Sequence, residues 1–225
     1  SVGDLLYCGA IVWTGYKLWQ FASTIWVQGF KNWWKGYGQL FGYLLKLLTV
    51  LAWIWISFHF LWGFNYYRKS IPDQFGFVAD RPSSQELLQF TQYLLDETNR
   101  YAIELKTSPQ KNAAHGNCSS LDSQYPKASI FGVIGNYMGY GGYYNPFTGE
   151  AQMNNHMPAF MLPFIAVHEK AHQLGYAKES EANFMGYLAA LKSKDSCLKY
   201  SANLEMFIYA NNALRRNDSV AAKNN

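Results

Sequence analysis

His168 and His172 stand four residues apart in the stretch HEKAH, with Glu169 beside the first of them. On an α-helix this spacing projects both imidazoles from one face, about a turn apart, where both can reach a single zinc ion. Glu169 is then placed to take a proton from water activated by that ion and to pass it to a leaving amine. A chance HExxH is expected on the order of once in a few hundred chains of this composition, so coincidence explains the motif poorly.

A catalytic zinc needs a third protein ligand and an open position for water. Two carboxylates follow in ESEAN, Glu179 and Glu181. On a helix, Glu179 shares a face with Ala182, Asn183, Gly186 and Ala190, all small or short, whereas Glu181 lines up with Phe184, Met185 and Leu188. The small face lets a second helix lie close against the first, which favours Glu179 as the third ligand, with Glu181 as the alternative and Asn183 placed to orient a histidine. Taken alone, two acidic residues in a first helical turn need only the helix dipole to explain them. Tyr143, Tyr144 and Tyr176 are each able to offer a phenol to a tetrahedral oxyanion, and nothing in the sequence chooses among them.

These side chains need elements to hold them. Pro163 suits the first turn of the HEKAH helix, and Gly175 supplies a left-handed stop. A second helix is expected over GYAKESEANFMGYLAALK, and helix through most of the C-terminus, with the tail NDSVAAKNN unstructured. Upstream, SSQELLQFTQYLLDETNRYAIELK has the apolar spacing of a long amphipathic helix, capped by Ser84 and Gln85. Between them, ASIFGVIG and YMGYGGYYNPFTGEAQMN read as short strands with glycine turns, one pair forming a hairpin. The order helix, strands, helix, helix gives an α+β domain over residues 71–225.

Residues 1–70 are built for another solvent. All eight Trp lie before residue 63. The run LLTVLAWIWISFHFLWGF from Leu47, extendable back to Leu40, is long enough to cross a bilayer, and NYYRK after it supplies interfacial tyrosines and cations. The earlier run from Leu5 to Phe30 is a second span with a snorkelling Lys17 or an interfacial helix. Neither looks like a cleavable signal peptide. If both cross, Lys31 and Lys35 lie in the loop between them, which puts that loop in the cytoplasm and the C-terminal domain outside the cell membrane.

The net charge of +4 comes without a basic stripe, so nucleic acid is set aside as a partner. Cys118 and Cys197, 79 positions apart, lack metal-ligand spacing; two such thiols are more often unpaired than bridged, and a bridge between them would imply an oxidising compartment.

HEKAH with a downstream glutamate, and Asn four residues after it, resembles the gluzincin branch of zinc metallopeptidases. SVGDLLY, FLWGFNYYR, PFTGEAQMN, HEKAHQLGYAKESEANF and KYSANL together resemble a bacterial family of membrane-anchored HExxH proteins known only as a domain of unknown function. The resemblance implies N-terminal transmembrane helices followed by a zincin-like domain, and a chain that continues before Ser1. In zincins an edge strand ahead of the active-site helix pairs with extended substrate, which makes Thr148, Gly149, Glu150, Ala151, Gln152, Met153 and Asn154 the expected substrate strand. A hairpin shaped by its glycines accounts for the same residues equally well. The expected function is a membrane-anchored peptidase with one Zn2+ per chain, held by His168, His172 and Glu179 with Glu169 as the base, acting on a peptide or protein. A non-catalytic, zinc-stabilised membrane sensor or binding domain is the alternative. Hydrolysis of a non-peptide amide would use the same chemistry.

Overall fold

The computed structural model describes residues 1–28, 37–78, 80–107 and 126–223. Two long helices open the chain, α1 (Val2–Gln28) and α2 (Tyr37–Leu61). Among the described residues, one helix is long and apolar enough to cross a membrane: Phe41–Leu61 within α2, with mean hydropathy 1.8 and nothing packed over it. Lys31 and Lys35, on which the expected orientation rested, lie outside the described residues. After a 3-10 turn at Gly63–Tyr67 come the short α3 (Ile71–Phe75) and the long α4 (Ser84–Thr107). The cap of α4 is Ser83 rather than Ser84 and Gln85. The Ser83 hydroxyl accepts from the Glu86 N–H, and the Glu86 carboxylate accepts from the Ser83 N–H, a reciprocal capping box.

A three-stranded sheet follows, built from β1 (Lys127–Ala128), β2 (Gly142–Asn145) and β3 (Glu150–Met153), with α5 (Gly132–Met138) between the first two strands. The strand order is β1-β3-β2, with β2 antiparallel and β1 parallel to β3. The expected hairpin is therefore β2–β3, but in ASIFGVIG only Ala128 is strand and the second half, from Gly132, is helix. Gly132 and Gly135 turn inward, where a Cβ would meet Asn154 and His156 or Tyr140, and this close seat is open to a helix whose inner face is glycine.

Three helices complete the chain: α6 (Leu162–Gln173), α7 (Glu179–Lys192) and α8 (Ser196–Lys223). The last runs through most of the tail expected to be unstructured. Leu87 and Leu94 of α4 and Ala210 of α8 form one buried cluster, and the Ser196 hydroxyl donates to the Glu104 carboxylate at the other end, so α4 and α8 run antiparallel. A second cluster, Phe164, Ala190, Leu198 and Ala202, joins α6, α7 and α8. The sheet packs on the remaining side of α6. The molecule is thus mostly helical with one small sheet, an α+β arrangement.

Contacts cross the boundary expected at residue 70. The first turn of α1 and the residues just after α2 are packed into the C-terminal domain, as described below. Cys197 is disulfide-bonded, the less expected of the two alternatives, and Cys8 is free; Cys118 lies outside the described residues.

Candidate metal centre

Helix α6 begins at Leu162 with Pro163 in its first turn, where a missing N–H costs nothing. Its next free N–H, on Phe164, donates to the Ser201 hydroxyl of α8 at 3.0 Å, and that hydroxyl donates to the Met161 carbonyl at 3.2 Å. A buried serine from a distant helix therefore caps the element that carries HEKAH. At the other end Gly175 sits at φ 91°, the left-handed conformation that stops the helix.

Helix α7 lies across α6 on its small face. Ala182, Gly186 and Ala190 are buried, and a Cβ at Gly186 would stand 3.4 Å from the His168 nitrogen and the Phe164 ring. A methyl would just make ordinary contact with that backbone, so any side chain larger than alanine's would push the helices apart. This approach brings Glu179 over the two histidines. His168 Nε2 lies 3.2 Å from His172 Nε2 and 3.1 Å from Glu179 Oε2, and His172 Nε2 lies 3.4 Å from Glu179 Oε1. One ligand atom from each of the three residues falls within 4.8 Å of the others. Glu181 is turned away and pairs with Lys178 at 3.5 Å. Asn183 lines the same cavity as His168 and Glu179.

The donor set fits a zinc ion. A tetrahedral ion with bonds of about 2.0–2.1 Å holds its donors roughly 3.3–3.5 Å apart, close to the spacing here. His172 Nδ1 lies 2.7 Å from the Tyr176 carbonyl, so Nδ1 carries the proton that it donates and Nε2 keeps its lone pair free for a metal. Burial and the neighbouring His172 push the His168 pKa down, against the pull of Glu179, which keeps that ring neutral as a ligand must be.

Glu169 is 4% exposed, and its Oε2 is buried without a hydrogen-bond partner. Burial first, and then the charge of Glu179, push its pKa up to about 8. The space beside it depends on Gly142 of β2, where a Cβ would come within 2.7 Å of Glu169 Cγ. An orphaned carboxylate is costly to bury, and here it faces a cavity of about 590 Å³ that also contains the three metal-type donors.

The segment expected to bind substrate is placed differently. Glu150–Met153 is the central strand, with Gln152 and Met153 paired to both neighbours. Ala151, Gln152, Met153 and Asn154 are buried, Glu150 is held by Lys127 and the Gly3 N–H, and the Gly149 carbonyl accepts from Gln173. None of Thr148, Gly149, Glu150, Ala151, Gln152, Met153 or Asn154 lines the cavity. Its wall is instead β2, which among the described residues pairs only on its β3 side. The hairpin was legible in the sequence, but the two-residue β1 decides which of its strands is the edge.

Of the three candidate phenols, Tyr143 contributes to the cavity wall, but its hydroxyl donates to Asp4 at 2.6 Å. Tyr176 is not in the cavity wall but lies under the Arg68 guanidinium, 4.5 Å from its ring centre. Tyr144 lines the cavity. Trp62, just after α2, stacks on Tyr144 at 4.6 Å and meets the His172 ring edge-on at 6.2 Å. Sequence reasoning missed Trp62, and also Glu205 and Tyr209, which α8 contributes to the wall. Burial pushes the Glu205 pKa up. KYSANL, just before them, was the available signal.

Fold and site together define an α+β protein with one membrane-length helix and a two-histidine, one-glutamate cluster able to hold a metal. The chain matches over residues 1–225 the family described as "Protein of unknown function (DUF3810)", and it belongs to that family. No curated protein and no solved structure matches it.

Proposed function

We propose that the protein is a membrane-anchored zinc metallopeptidase. The observation that carries this reading is Glu169: a buried carboxylate with a partnerless oxygen, beside three donors spaced for one ion. A purely structural zinc site has no use for such a base and closes its fourth position with another ligand. This favours catalysis over the sensor alternative.

His168 and His172 would hold the zinc through Nε2, with Glu179 as the third ligand. When bound, the ion is the Lewis acid that makes water a nucleophile near neutral pH. Glu169 would take the proton of the attacking water at its free oxygen. The same oxygen would then return the proton to the leaving amine. The Tyr176 carbonyl orients His172 through Nδ1, and β2 offers an extended backbone edge against which a peptide can lie. Trp62 and Phe164 shield the donors from bulk water. Helix α2 anchors the domain to the cell membrane, and the disulfide at Cys197 supports an extracytoplasmic placement, because such bonds persist in oxidising compartments.

The test is cleavage of an unstructured polypeptide, and separately of small amides, by detergent-purified protein. Wild type with zinc should cleave the polypeptide, while Glu169→Gln, with zinc still bound, should lose at least about a hundredfold in rate. Equal rates in the two proteins would remove the peptidase reading; activity on small amides alone would replace the substrate class.

A further inference from the structure

From Ala128 to Gly149 the chain carries no charged residue, although this stretch belongs to the folded domain. Helix α5 lies within it and is built inside out for water. Its glycines face the protein, while Val133, Ile134, Tyr137 and Met138, together with Ile130 just before the helix, are exposed; Tyr137 is 90% and Met138 72% open. Residues 130, 133, 134, 137 and 138 follow helical spacing and so form one apolar face. Contiguous apolar surface of this kind marks an interaction site on a protein that is otherwise in water.

The position of the face says what covers it. The Ile130 N–H donates to Asp4 at 3.0 Å, and Phe131 meets Tyr7 edge-on at 6.4 Å, so α5 starts alongside the second turn of α1. Val2, Leu5 and Leu6 on those turns are exposed and apolar as well. On the adjoining side of the domain, the membrane-length helix α2 ends one residue before Trp62, which stacks on Tyr144 of β2, next in sequence to the Tyr143 that holds Asp4. The apolar face of α5 thus adjoins the exposed apolar turns with which α1 leaves the domain. Gly139 and Tyr140, directly after α5, line the cavity.

We propose that α5 with Ile130 is an interfacial lipid-binding surface, seated among the headgroups of the bilayer that α2 crosses, which sets the mouth of the cavity at the level of the membrane surface. Its phenol and thioether tips suit that boundary layer, and the absence of charge around it removes the penalty of approach. The inference rests on the membrane anchoring of α2.

The experiment uses the full chain, with the free thiol removed by Cys8→Ser and the Cys197 disulfide kept by omitting reductant, reconstituted in phosphatidylcholine vesicles. A polarity-sensitive fluorophore is attached at Tyr137→Cys, at Trp53→Cys within α2, or at Gln92→Cys on the exposed face of α4, and nitroxide-bearing lipids are added as quenchers. The expected result is at least a roughly twofold loss of emission at positions 53 and 137, and little change at 92. Quenching at 53 but not at 137 overturns the proposal while the membrane anchor stands. So does a blue-shifted, unquenched probe at 137, which assigns the face to a protein partner or a second copy of the chain. Equal quenching at 92 and 137 also overturns it, since α5 would then be no closer to lipid than the polar face of α4. Absence of quenching at 53 removes the anchor itself, and the proposal with it.

Discussion

The two N-terminal helices are gripped by adjacent residues of β2 in different ways. Tyr143 holds α1 through a buried carboxylate: the phenol donates to Asp4, which is 1% exposed and also accepts the Ile130 N–H. Nearby, the Gly3 N–H donates to Glu150 at 3.0 Å. Tyr144 holds α2 through aromatic packing on Trp62, and Arg68 adds a bond to the Leu174 carbonyl at 3.2 Å. Successive residues of a strand face opposite ways, so one short strand serves both helices. The polar grip is specific in geometry but ends in the sheet. The aromatic grip touches His172, so of the two only α2 is coupled to the candidate metal donors.

The sharpest break in that comparison is Trp62→Ala. Loss of a buried tryptophan costs about 3–5 kcal/mol, and because His172 loses its neighbour, zinc affinity should fall along with thermal stability. Asp4→Ala should cost less, about 1–3 kcal/mol for the polar groups left unpaired, and should leave zinc affinity unchanged. Paired thermal unfolding and zinc titration on both variants check this; a shift in zinc affinity with Asp4→Ala would erase the distinction.

Acid should loosen the α1 grip selectively. The Lys127 ammonium, with the Gly3 N–H, lowers the Glu150 pKa from 4.5 to about 2. A depressed carboxylate contributes its stability above the unfolded value and loses it as pH falls from there to about 2. Protection of the backbone N–H groups of residues 1–10, taken against the intrinsic exchange rate at each pH, should therefore fall in that window, and Glu150→Gln should flatten the response. The smallest effect is expected from Arg68→Ala, whose exposed bond and ring contact are together worth about 1 kcal/mol or less in thermal stability.

What could be read from the sequence follows from how local its causes are. The α6 boundaries are written in Pro163 and Gly175, and the spacing of HEKAH is a property of one helix. The small face that lets α7 approach was legible as Ala182, Gly186 and Ala190. The long α4 announced itself by period, though Ser83 rather than Ser84 caps it. What escaped depends on distant partners. β-branched residues in ASIFGVIG suggested a strand, but the two inward glycines allow a helix against Asn154 and Tyr140. Trp62 lies inside the apolar run read as a membrane span, and nothing local places it against His172. Glu205 and Tyr209 reach the cavity because Leu198 and Ala202 seat α8 against α6.

The most direct measurement of the central claim is zinc bound per chain in purified wild type, His172→Ala, Glu179→Ala and Glu181→Ala, with each fold checked by circular dichroism. The account predicts about one zinc in wild type and in Glu181→Ala, and loss of it in the other two, since three ligands make the site. A folded wild type that takes up no zinc when zinc is supplied, or a Glu179→Ala protein that binds it as tightly as wild type, would contradict the account.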